Sequence, residues 1–237
     1  MEVAARIQEV KYDIFRWRYE LSIPRKLTLA LGIAALTGLV AQLKIGLPWS
    51  PVPITGQTFA VLLAGVMMGR WWGGASMVIY VGLGIAGVPW FAPTAGMSAF
   101  TAGGISHLTG ATGGYLVGFI LATLFLGYFT DKYVRSRSFL SMLGLMLFAN
   151  FILIHGSGLL WLSTFPYEEW LGATSVLGLG PYEGRNLLAL LMVGMIPYII
   201  GDVIKAVTAA LIVRGGTPKK AYGSEVDSDK WAGWRIP

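Results

Sequence analysis

Cysteine is absent from this chain of 237 residues, and charge is scarce. With no thiol, disulfides and thiolate metal sites are excluded, and thiols say nothing of the compartment. The only histidines, His107 and His155, offer no metal-ligand spacing, so no metal site is expected. Charged residues make up 13% of the chain, where a soluble domain carries about 25%. No Walker A run, Gly-x-Ser-x-Gly or His-Glu-x-x-His occurs, and no second carboxylate lies near Asp202. These absences argue against nucleotide hydrolysis and an enzyme active site within the chain, and no cofactor is expected in it.

What is present is apolar surface. Hydrophobic residues are 55% of the chain, and the mean hydropathy is +0.64. This is the composition of an integral membrane protein, and the length suits about six spans of ~20 residues. The spans are expected at about 27–43, 54–68, 72–88, 113–129, 139–165 and 198–213. Pro197 and Gly201 break the last apolar run, leaving 187–196 as a short outer or re-entrant helix. The fold class is thus an all-α membrane bundle. Before it, residues 1–26 carry Ile7, Val10, Ile14, Trp17 and Leu21 at three- and four-residue steps. That is an amphipathic arm, expected to lie along the inner membrane surface. Residues 27–214 form the membrane domain, and 215–237 a polar, flexible tail.

Basic residues set the orientation. Arg70 lies between spans two and three, and Lys132, Arg135 and Arg137 between four and five. The arm and the tail carry most of the rest. With six spans these all fall on one side, which makes both termini cytoplasmic. Lys44 and Arg185 fall on the other side, as do the long connections 89–112 and 166–186 with Glu168, Glu169 and Glu183. The net charge of +6 is then orientation signal and inner-leaflet attraction, not a nucleic-acid footprint.

Asp202 and Lys205 are the only charges in the run 187–213, and a three-residue spacing puts them on one helical face. Each would cost roughly 2.5–3.5 kcal/mol at a bilayer centre. Lys205 lies about 14 Å along the helix from Arg214 and Asp202 about 18 Å, which places the pair in the outer half of its span. The pair could clamp a ligand, with Lys205 offering an ammonium and Asp202 accepting N–H groups. It could also be an internal ion pair or a proton relay. A membrane-embedded enzyme using Lys205 would lack any accompanying triad, metal set or paired acids.

Other candidates lie nearby. Thr112, Gly113, Gly114 and Tyr115 open span four, with Thr112 as a helix N-cap whose free N–H groups suit a polar ligand group. The same glycine-rich stretch could be only a loop packed over the bundle. Gln57 could contact ligand or bond helices together. His107 and Trp90 are candidate lining residues, while His155 is read as a hydrogen-bonded packing residue. Trp49, Trp161 and Trp170, like Trp90, also suit an interfacial aromatic belt. Ala30 and Ala34 share one face of span one and allow close approach, inside the bundle or by another subunit. Residues 48–59, rich in proline, are expected as a stiff outer connection.

Four stretches together resemble the BioY family, the biotin-specific S components of energy-coupling factor (ECF) transporters. They are Val52-Pro53-Ile54-Thr55-Gly56-Gln57-Thr58; Tyr80-Val81-Gly82-Leu83-Gly84 running to Pro89-Trp90-Phe91-Ala92; Gly103-Gly104 with Thr112-Gly113-Gly114-Tyr115; and Pro197-Tyr198 with Gly201-Asp202-Val203-Ile204-Lys205-Ala206. Ala111 and Ile200 stand where the family often has proline. The resemblance implies a six-helix S-component bundle in the cell membrane, with biotin bound near the outer surface by Asp202 and Lys205. It also implies partners, namely a transmembrane coupling subunit (T component) docking on Ala30 and Ala34, and two cytoplasmic ATPase subunits that use ATP. An S component for another carboxylated vitamin is the neighbouring alternative.

Overall fold

The computed structural model describes residues 2–94, 96–164, 187–218 and 225. Trp170, the 166–186 charges and most of the tail lie outside the described residues. The molecule is mostly helical. After α1 (Glu2–Glu20) and α2 (Ile23–Ala41), a hairpin of β1 (Lys44–Leu47) and β2 (Ser50–Thr55) leads into α3 (Gln57–Ile85). A long connection holding the short α4 (Ser106–Thr109) reaches α5 (Gly113–Lys132). Then come α6 (Phe139–Phe148), a π-helical turn (Ala149–Ile154) and α7 (His155–Leu162). The last elements are α8 (Leu187–Gly194), a 3-10 turn (Ile196–Tyr198) and α9 (Ile199–Gly216).

Four helical stretches are long and apolar enough to cross a membrane: Ile23–Ala41, Gly113–Lys132, Phe139–Leu162 and Leu187–Gly216. The stretches 54–68 and 72–88, expected as the second and third spans, fall largely on the two arms of α3. The backbone reverses at Gly69, whose φ of 76° and ψ of −179° belong to a region open essentially to glycine alone. The reversal brings Gln57 Nε2 within 2.7 Å of the Tyr80 hydroxyl, although 23 residues separate them. The arms 57–68 and 70–85 reach only about 18 and 24 Å at helical rise.

The expected stiff connection 48–59 holds the second strand of a β-hairpin and the start of α3, so the fold is not purely helical. Lys44 pairs with Thr55 and Ile45 with Ile54. Two strands leave each with a free edge, where Pro51 and Pro53 cost no ladder bond. Lys44 also ties the hairpin to the long connection, with Nζ 2.9 Å from the carbonyls of Thr94 and Met97.

The core lies between α3, α5, α6 and α9, around Leu62, Met77, Tyr80, Leu126 and Met146. Gly118 lets α5 touch the π-helical turn, since a Cβ there would sit 2.7 Å from Ile154 Cα. Ala30 and Ala34 are fully buried against the rest of the chain. In this chain their small side chains let α2 pack closely within the bundle. Outward surfaces are apolar instead, with Leu27, Leu31 and Leu39 on α2 and Ile200, Ile204 and Leu211 on α9 exposed. That inversion suits lipid.

The arm is helical, and all of its apolar stripe but Leu21 faces outward. Ile7, Val10, Ile14 and Trp17 are about half exposed, whereas Phe15 and Leu21 are buried. Arg18 fixes the helix to the bundle. It donates to the Val66 and Met67 carbonyls at 2.7 and 3.1 Å and pairs with Asp131 at 2.7 Å.

Candidate functional site

Pro197 shapes the site from a distance. It has no N–H to offer the carbonyl four residues back, and α8 ends at Gly194. The freed Val193 carbonyl accepts from Ser50 Oγ at 2.8 Å, which pins the hairpin to the helix break. The Gly194 carbonyl accepts from the Tyr115 hydroxyl at 2.8 Å and faces His155 Nδ1 at 2.9 Å. Tyr198, just after the proline, donates its hydroxyl to the Val52 carbonyl at 2.6 Å. Gly201 does not interrupt the chain; it lies inside α9.

These bonds close a cavity that is partly open to solvent. The hairpin contributes Val52, Pro53 and Thr55, and α3 contributes Gln57 and Thr58. The long connection adds Phe91, His107 and Thr112, and α5 adds Tyr115 and Phe119. His155, Tyr198, Asp202 and Lys205 complete it from the last helices.

The charged pair sits in its wall. Lys205 Nζ lies 2.5 Å from Asp202 Oδ1, so the two form an ion pair with each other. Lys205 also donates to the Thr55 carbonyl at 2.9 Å and to Thr58 Oγ1 at 2.8 Å. Asp202 Oδ1 accepts from Thr58 at 3.3 Å, while Oδ2 accepts from Asn150 Nδ2 at 2.9 Å and meets His155 Nε2 at 2.6 Å. Asp202 is buried and Lys205 is partly open, with 3% and 18% of their side chains exposed. The Lys205 ammonium is thus the charge within reach of a ligand. Both groups are already fully bonded, so direct ligand contact trades one existing bond for another.

Of the candidate residues, Gln57, His107, Thr112, Tyr115, Asp202 and Lys205 line this cavity. Gln57 is also held by Tyr80 and by Thr55 Oγ1, at 2.7 and 2.9 Å. Thr112 stands at the N-cap position, yet its hydroxyl makes no capping bond; it donates to the His107 carbonyl at 3.4 Å. Gly113 and Gly114 pack against Leu108 and Trp161 and do not line the cavity. Trp90 turns away from it, donating to the Tyr80 carbonyl at 2.9 Å and covering Gly38 of α2.

Three residues of the Asp202 cluster, Thr58, His155 and Asn150, escaped the sequence-based site. His155 is the packing residue expected, and it also lines the cavity and touches Asp202. Asn150 stood unremarked in an apolar run. Five residues separate Asn150 from His155, which splits them on an ordinary helix. The π-helical turn between them, with its i→i+5 pattern, brings them to one side. Asn150 Oδ1 and His107 Nδ1 are buried without a hydrogen-bond partner.

The BioY family model matches residues 11–221. A probable biotin transporter BioY of Methanothermobacter thermautotrophicus is 47% identical over 175 residues, which is 74% of this chain and all of that protein. One from Pyrococcus horikoshii is 34% identical over 190 residues, covering 80% of this chain and 94% of that protein. The biotin transporter BioY of Thermotoga maritima is 32% identical over 178 residues, covering 71% and 82%. Among solved structures, the S-component for biotin from an ECF-type ABC transporter superposes with a TM-score of 0.63 at 23% identity, covering 82% of this chain and 93% of that one; this likeness speaks to the fold. By the extent of the family match and the closeness of these relatives, the chain belongs to the BioY family.

Proposed function

We propose that this chain captures biotin for uptake, as the S component of an ECF-type transporter. The observation that carries the reading is the Asp202–Lys205 pair, lodged with His155 in the wall of a cavity otherwise lined largely by apolar and uncharged groups, with Asn150 bonded to Asp202. Biotin matches that surface, with one carboxylate, a ureido ring bearing two N–H donors, and an apolar body. Lys205 attracts the carboxylate, and Asp202 takes a ureido N–H in exchange for one of its present donors. Gln57, Tyr115, Thr112 and His107 lie around the remaining surface. Nothing in this reading calls for a chemical step; the chain is a binding subunit and not an enzyme.

The membrane arrangement follows. The two arms of α3 supply the second and third of six spans, and the basic residues place both termini in the cytoplasm of a multi-pass cell-membrane protein. The 27–214 bundle is the binding domain and 215–237 a tail. The arm lies under the inner leaflet, held by Arg18, with Ile7, Val10, Ile14 and Trp17 turned toward lipid. A T component and two ATPase subunits supply the energy.

Equilibrium binding of radiolabelled biotin to the purified chain, with a panel of carboxylated vitamins as competitors, tests the substrate. Biotin is expected to bind and to resist displacement by the others. Preferential retention of a different vitamin would reassign the cavity to it.

A further inference from the structure

Resting on that reading of the cavity, a role can be derived for His155. Its ring is buried, and both nitrogens face oxygen atoms. Nδ1 lies 2.9 Å from the Gly194 carbonyl oxygen and Nε2 lies 2.6 Å from Asp202 Oδ2. A carbonyl oxygen has no hydrogen to give, so Nδ1 donates. The second contact needs one proton, carried by Nε2 or by the carboxyl. Asp202 also accepts from Asn150, Thr58 and the Lys205 ammonium. Three further donors, one of them a cation, stabilise the ionised carboxylate, which leaves the proton on Nε2.

We propose that His155 is a charged positioning residue that neutralises Asp202, so that the positive charge of Lys205 is left to select a ligand with a single negative charge. One carboxylate faces two cations, and the cluster carries one net positive charge. The groups packed around the ring do not alter that sum. Tyr115 meets it edge-on at 5.7 Å, Phe151 stacks on it at 5.8 Å and Tyr198 tilts against it at 5.6 Å. His107 also lines the cavity, beside Phe91, and makes no ion pair among the described residues. An uncompensated charge is costly at membrane depth, and an arriving carboxylate relieves that cost. Without His155, the Asp202–Lys205 pair balances itself and the attraction is lost.

The test compares biotin with its uncharged carboxamide. Equilibrium binding of both ligands is measured on the purified full chain and on His155→Gln, which can still donate to Asp202 but carries no charge; His155→Ala is the second variant. Wild type should prefer biotin. In both variants biotin should weaken about tenfold or more, in line with loss of one partly screened charge at short range, while the carboxamide changes by less than about threefold. The carboxamide thus reports that the cavity is still formed. Equal weakening of the two ligands, including loss of both, would mean a purely structural histidine and overturn the proposal, as would an unchanged ratio. If wild type binds neither ligand, the biotin reading itself fails, which is a separate result.

Discussion

Two polar knots sit at opposite ends of α5 and α9, and they differ in what lies beside them. At one end Arg18 pairs with Asp131, and Arg137 with Glu225. Both guanidinium groups lie over the Phe15 ring, at 3.7 and 4.1 Å from its centroid. Among the described residues two cations meet two carboxylates there, and the knot joins α1 to the Gly69 reversal, where Asp131 Oδ2 accepts the Arg70 N–H at 2.7 Å. At the other end one carboxylate meets Lys205 and His155 beside a cavity. The first knot lies away from the cavity, ties α1 to the bundle and serves as a rivet. An unbalanced knot on a cavity wall is suited to receive something from outside.

That contrast can be broken by substitution. The largest effect is expected for Asp202→Asn, which leaves the buried His155 and the partly open Lys205 without their anion. Biotin binding should fall about 100-fold or more and the thermal midpoint should drop, because stranding a buried charge costs about 3–5 kcal/mol. Retained binding in that variant would remove Asp202 from the site. Next comes Arg18→Ala. It strands Asp131, which is 27% exposed, and should lower stability by about 1–3 kcal/mol. Biotin affinity should stay within about twofold, so a strong loss of binding would erase the distinction between the knots.

Smaller effects sharpen the picture. Ala34→Leu forces extra volume into a closed interface and should destabilise the isolated chain by about 1–3 kcal/mol. A variant of unchanged thermal midpoint would put this helix face outside the core. Trp90→Phe should leave biotin affinity within about twofold, since its indole N–H bonds Tyr80 and not the cavity.

The sequence made some of this legible and hid the rest for physical reasons. Asp202 and Lys205 stood out because two charges interrupt an apolar run. The reversal near Arg70 was readable from one basic residue between two apolar stretches. Ala30 and Ala34 announced close helix contact, but spacing alone does not say with whom. The apolar stripe of the arm was visible too, yet the face that docks is the neighbouring one carrying Phe15 and Arg18. The hairpin stayed hidden because its strands are short and rich in proline. Asn150 and His155 stayed hidden because their shared side depends on a π-helical turn that the residue types do not advertise.

The account stands most directly on Lys205. Equilibrium dialysis of biotin against wild type and Lys205→Ala, with thermal midpoints recorded on the same samples, isolates the charge offered to the ligand. Binding should fall about 100-fold or more, equivalent to ~2.7 kcal/mol, while the variant remains folded. Undiminished biotin binding by a folded Lys205→Ala protein would contradict it.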